Sequence, residues 1–75
     1  MTPKELGKTI RNVRRNLGLR QDELAGAANV GVRFVVDLEA GKPTAQLGKA
    51  LAVLDALGCR IAITPPSSIL KMRRS

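Results

Sequence analysis

From Gln21 to Glu39 the chain reads Gln-Asp-Glu-Leu-Ala-Gly-Ala-Ala-Asn-Val-Gly-Val-Arg-Phe-Val-Val-Asp-Leu-Glu, and no other stretch restricts the possible folds so tightly. Two short helical segments are joined by Asn29-Val30-Gly31 alone. Helices connected this closely must cross closely, which calls for a small residue at the crossing, and Ala25 stands there. Leu24, Ala28, Val30, Val35 and Leu38 fill the apolar wedge between the two. The turn needs a residue that tolerates left-handed backbone. Gly is the usual choice, and Asn29 is the next best.

This spacing is that of a helix-turn-helix, and it lies in a chain of net charge +7, with 13 Lys and Arg against 6 Asp and Glu. The pairing points to a helix laid in the DNA major groove, because polyanions are the natural partners of so basic a chain. A basic balance can also serve solubility alone. The length of 75 residues fits one small domain, and such a domain buries only about 60% of its unfolded surface. With one Phe and no Trp or Tyr, its core must be built from Leu, Ile, Val and Ala, so it has much to gain from dimerising.

A single Cys59 excludes an intramolecular disulfide and a multi-cysteine zinc site, and there is no His. No metal, no cofactor and no catalytic constellation are expected, and the chain is not read as an enzyme. Cys59 reads as a small packed residue rather than a nucleophile. No apolar run at the N-terminus has the length of a signal peptide, and none approaches the roughly 18 residues needed to span a membrane. A cytoplasmic protein follows.

The flanking segments complete a mainly α design. Thr2-Pro3-Lys4-Glu5 places Thr at the N-cap, Pro at the first helical position and Glu at the third, the pattern of a capping box. Leu6, Ile10, Val13 and Leu17 form one apolar stripe, Lys4, Lys8, Arg11, Arg14 and Arg15 occupy other faces, and Gly18 is the stop. The expected helices run over about 3–17, 21–28, 32–40 and 44–57. Arg20 is a poor N-cap for the second, Gly41 and Pro43 close the third, and Thr44 is the candidate cap of the fourth. Leu47, Leu51, Leu54 and Leu57, beside Ala50 and Val53, would be the fourth helix's apolar face, weakened by Gly48 and closed by Gly58.

Cys59-Arg60-Ile61-Ala62-Ile63-Thr64 then alternates with period 2 and stops at Pro65-Pro66, which reads as one β-strand. No second strand is offered, and a lone strand leaves its N–H and C=O groups unpaired. The same strand of a second molecule, antiparallel across a two-fold axis, is the simplest remedy. The expectation is a homodimer with a two-stranded intermolecular ribbon; the other reading is a segment lying on its own domain or a disordered tail. Residues 1–64 form the DNA-binding and dimerisation domain in this division. Residues 65–75, with Ile69, Leu70 and Met72 among Lys71, Arg73 and Arg74, form a flexible basic tail.

The motif, together with Gly41-Lys42-Pro43-Thr44 and the helix after it, resembles the lambda-repressor/Cro-like helix-turn-helix family, also called XRE, over about Leu6 to Leu57. A strand at 59–64 in place of that family's fifth helix is similar to the HipB-type antitoxins, small dimeric partners of HipA-type Ser/Thr kinase toxins. The resemblance implies a four-helix DNA-binding domain whose C-terminal strands make a small shared sheet. Its function would be that of a transcriptional repressor, the antitoxin of a HipBA-type pair, that represses its own operon and neutralises a kinase. The alternatives are a stand-alone XRE-type regulator and a protein-interaction module without DNA binding. The chain departs from the family pattern at Arg20, where Thr or Ser is common, at Asn29, where Gly is common, and at Phe34, where small polar residues are common.

Roles follow residue by residue. A recognition helix offers its N-terminal residues to base edges, which nominates Val32, Arg33 and Asp37 on the outward face, with Phe34 at its margin. Arg33 is the best candidate for readout, since a guanidinium can bond both acceptors of guanine. Val32 or Phe34 would meet a thymine methyl, and Phe34 has packing as its other reading. Asp37 would accept from a cytosine amino group or tether Arg33 four residues away. The resemblance gives Gln21 a phosphate contact through its side chain and the helix N-terminus, with Arg20 and Lys42 flanking the same backbone. It also implies a structural pair between Arg14 and Glu39. The partners expected are an inverted-repeat operator in double-stranded DNA, a second copy of the chain and a HipA-type kinase.

Overall fold

The computed structural model describes residues 1–66, so the expected tail is covered only to Pro66 and residues 67–75 lie outside the described residues. Four helices follow in order: α1 (Pro3–Asn16), α2 (Gln21–Ala28), α3 (Val32–Glu39) and α4 (Leu47–Ala56). The turn chemistry explains where each one stops. After α1, Gly18 N–H donates to the Arg15 carbonyl and Leu19 N–H to that of Arg14; Asn29 and Val30 do the same after α2, Gly41 and Lys42 after α3, and Gly58 and Cys59 after α4. Every helix therefore ends in the same pair of reversed bonds, which requires one residue in the left-handed region. Three of those residues are Gly, and the fourth is Asn29 at φ 56°.

The starts are less uniform. Thr2 Oγ1 accepts from Glu5 N–H at 3.1 Å, the forward half of the expected capping box. Arg20 has no side-chain acceptor to offer, but Glu23 Oε1 accepts from Arg20 N–H at 2.8 Å, so α2 makes the return half.

Ile10, Leu24, Val35 and Val53, one from each helix, are the largest fully buried side chains, with Ala25, Leu38, Ala50, Leu54 and Leu57 around them. Each of the four contributes on the order of 1.5–3 kcal/mol by leaving water. Leu6, Val13, Ala28, Val30 and Ala45 pack at the edges of this cluster. α2 packs against both α3 and α4, while α1 lies across α3.

Three expectations need correction. Thr44 does not cap α4: Pro43 and Thr44 form a turn, and the helix begins at Leu47 with Gln46 as an N-cap that makes no side-chain bond. Pro43 fixes its own φ and favours a turn position, and Ala45 is drawn onto the core before the helix starts. The apolar face of α4 also differs. Ala50, Val53, Leu54 and Leu57 point inward, while Leu47 is 71% and Leu51 44% exposed. At 3.6 residues per turn, Leu51 lies about 110° round the helix from the centre of the buried stripe. On α1 the stripe holds for Leu6, Ile10 and Val13, but Leu17 is the C-cap and is exposed.

No β-strand forms among the described residues, the expected segment at 59–64 included. Cys59 packs against the core edge. Residues 60–66 are exposed.

Candidate nucleic-acid interface

α3 is anchored by Val35 and Leu38, both buried. Helical periodicity then fixes its opposite face, where Arg33, Val36, Asp37 and Ala40 recur at the i, i+3, i+4, i+7 spacing. Arg33 is the outermost of the charged groups there, with a side chain 86% exposed. Val32, at the first position of the helix, is 48% exposed. Asp37 sits lower. Its Oδ1 is 3.3 Å from Arg33 Nε and its Oδ2 is 3.6 Å from Lys42 Nζ. Phe34 turns toward the protein, packed at the edge of the core, with Lys49 Nζ of α4 5.8 Å from its ring centroid. That is within cation–π range.

The C-terminal end of α3 is fastened to α1 and α2. Arg14 donates from Nε to Glu39 Oε2 at 2.7 Å and from Nη2 to Glu39 Oε1 at 3.0 Å. Its Nη1 donates to the Leu19 carbonyl at 2.8 Å. The two side chains are only 11% and 4% exposed, so this bidentate pair is largely desolvated. Gln21 Nε2 donates to Glu39 Oε1 at 3.3 Å. Its amide is therefore oriented by the protein at the first residue of α2, with a second N–H still to give.

Around this network lies an open cleft of about 380 Å³, lined by Arg11, Arg14, Gln21, Val36, Glu39 and Ala40. It brings the start of α2 beside the outward face of α3. Arg11 is exposed at its rim.

Gly7 is a structural residue that the pattern reading passed over. A Cβ there would meet the Leu38 carbonyl oxygen and come within 2.7 Å of that of Glu39. The backbone of α1 thus rests directly on the last turn of α3. The available signal was an isolated Gly inside a helical pattern, three residues before buried Ile10 on the same stripe. Gly41 is constrained as well: its φ is +83°, and a Cβ would lie 2.8 Å from Lys4 Cα.

Arg20 points away from the core, its Nε 3.0 Å from Asp22 Oδ1 and 3.9 Å from Glu23 Oε1. The hydrogen bond from Arg20 holds the Asp22 carboxyl below its usual range. The same contact raises the Arg20 guanidinium further still. In the free protein Arg20 is thus engaged locally, and reaching a phosphate would mean exchanging one anion for another.

These positions fall inside a recognisable frame. Residues 10–63 match the helix-turn-helix family. Across 65 residues the chain is 63% identical to an uncharacterized HTH-type transcriptional regulator, y4mF, of Sinorhizobium fredii (strain NBRC 101917 / NGR234), a match that covers 87% of this chain and 86% of that one. The turn at Asn29, the crossing at Ala25 and the exposed face of α3 are the features such a family requires, and the chain belongs to the XRE-type helix-turn-helix family.

Proposed function

We propose that this protein is a sequence-specific DNA-binding repressor that acts as a cytoplasmic homodimer and reads an inverted repeat. The observation that carries this reading is the orientation of α3, which buries Val35 and Leu38 while extending Arg33 86% into solvent. Arg33 and Val32 lead the candidate base-reading set, with Phe34 at its margin and Asp37 either reading a base or tethering Arg33, and Arg20, Gln21 and Lys42 are the candidate phosphate contacts. The net charge of +7 supplies the sequence-independent attraction.

At the finer level, the protein is the antitoxin of a HipBA-type pair, repressing its own operon and neutralising a Ser/Thr kinase toxin. The alternating 59–64 segment supports this, since its unpaired backbone suits a ladder with the same segment of a second copy. Half-sites would then lie about one helical turn apart. The kinase would be held away from α3, so that DNA and toxin bind together. A stand-alone regulator is the second reading, in keeping with the 63% identical relative, an HTH-type transcriptional regulator by name.

The test is a gel-shift and sedimentation series on the protein's own promoter DNA, with Arg33→Ala and Gln21→Ala alongside. If the dimer neutralises six to eight phosphates, affinity falls by roughly 10³ to 10⁴ between 50 and 200 mM salt. Arg33→Ala loses preference for the site over random DNA, and Gln21→Ala weakens binding to both. A monomer indifferent to promoter sequence would sink the repressor. A stable dimer on its operator with no co-purifying kinase of HipA type leaves the stand-alone regulator.

A further inference from the structure

We propose that Asp37 is a positioning residue for Arg33: it holds the guanidinium by Nε and so presents the two terminal nitrogens to a guanine, while Lys42 is released to the DNA backbone. This rests on the DNA-reading function proposed above and assigns Asp37 a role other than base contact.

The geometry separates the two roles. The shortest approach between the two side chains is from Asp37 Oδ1 to Arg33 Nε, at 3.3 Å. A guanidinium has five N–H donors, four of them on Nη1 and Nη2, so this contact leaves free the edge that matches the O6 and N7 acceptors of guanine. The relative depths agree. Asp37 is 27% exposed and Arg33 86%, which puts the carboxylate at the root of the arm and the guanidinium at its tip.

Each carboxylate oxygen also faces a cation. Oδ2 lies 3.6 Å from Lys42 Nζ, so a cytosine amino group would compete with two cations for the carboxylate. A bare carboxylate at this surface would repel phosphate. Flanked by Arg33 and Lys42 it is neutralised, and Lys42, 57% exposed, can exchange it for a phosphate without disturbing Arg33. Arg33 has many rotamers, so an arm fixed before contact loses less freedom on binding than an untethered one.

The test begins with enrichment of a random duplex pool by the wild-type protein. Binding of Arg33→Ala, Asp37→Ala and the double variant is then measured on the enriched site and on copies altered one base pair at a time. Circular dichroism checks that each variant is folded. A guanine read by Arg33 is preferred about 5- to 150-fold. Asp37→Ala is expected to lower that preference at the same base pair by about fivefold or more. The double variant should be no less selective than Arg33→Ala alone, because coupled residues are not additive. Affinity for random DNA should hold or rise, since a negative charge has gone.

Loss of preference at a different base pair, adding to the Arg33→Ala effect, would make Asp37 a base reader and overturn the proposal. A shifted melting temperature with guanine preference intact would make the contact merely structural and overturn it equally. If the wild-type protein enriches no sequence, the DNA-reading function fails and this proposal falls with it.

Discussion

At the scale of single residues, the Arg14–Glu39 pair is the most deeply buried ion pair among the described residues. Removing one partner of a buried ion pair is costly because the other is left desolvated and uncompensated. The two losses are not equivalent here. Glu39 is 4% exposed beside Arg14, and without it keeps the Gln21 amide at 3.3 Å. Without the Glu39 charge, Arg14 keeps the Leu19 carbonyl at 2.8 Å and an amide oxygen in place of the carboxylate. Arg14→Met is therefore expected to lower stability by about 3–5 kcal/mol, and Glu39→Gln by about 1.5–3 kcal/mol. The double replacement Arg14→Met with Glu39→Leu should be more stable than Arg14→Met alone, because it leaves no orphaned charge. Urea unfolding of the three variants reads the order, and a reversed order would show that the pair is worth less than its burial suggests.

At the scale of the helices, three glycines of the same type in sequence are physically different. Gly26 in α2 and Gly48 in α4 have open space where a Cβ would stand, while at Gly7 that Cβ would strike the carbonyls of Leu38 and Glu39. Gly26→Ala and Gly48→Ala should each add about 0.5–1 kcal/mol through helix propensity. Gly7→Ala should lose about 1–3 kcal/mol, because backbone atoms of α3 must move to admit the methyl. Thermal melts decide it: a stabilised Gly7→Ala would mean that α1 and α3 are not in backbone contact. The contrast marks what a sequence can disclose. Periodicity and stop residues are local, so α2 and the start of α3 are legible from Gln21 to Glu39, and the left-handed Asn29 follows from the turn. The start of α4 was not legible, because Thr44 is a good cap in isolation and only the turn at Pro43 and the seating of Ala45 move the helix to Leu47. The role of Gly7 was hidden for the same reason: nothing local states that α3 passes over it. In the interface, i,i+4 spacing brings Arg33 and Asp37 together on paper, but Lys42 joins them only once the loop after α3 is folded.

At the scale of the molecule, the proposed dimer ribbon makes a prediction that follows from parity. Cys59, Ile61 and Ile63 occupy one face of an alternating segment and Arg60, Ala62 and Thr64 the other. In an antiparallel pair, directly opposite residues share a face. Two copies related by a two-fold axis pair residues whose numbers have a constant sum, and an odd sum would set Ile61 against Ala62 and Ile63 against Arg60. A register that slips by one residue exchanges the faces, so apolar matching requires an even sum and an axis passing through a residue. If the axis passes through Ile61, that residue faces itself and Cys59 faces Ile63. If it passes through Ala62, Ile61 faces Ile63 and Ala62 faces itself. Either arrangement covers side chains that are bare in a single chain, where Ile61 is 55% and Ile63 88% exposed. Opposite Cα atoms in such a ladder are about 4.5–5.5 Å apart, within reach of a disulfide. In a Cys59→Ser background, Ile61→Cys or Ala62→Cys, but not both, should therefore crosslink rapidly under mild oxidation into a covalent dimer on a non-reducing gel. Equal crosslinking of both would indicate a ribbon that slides. Crosslinking of neither, with a dimer still present by sedimentation, would move the interface elsewhere, and the exposed Leu47 and Leu51 of α4 would be the next surface to substitute.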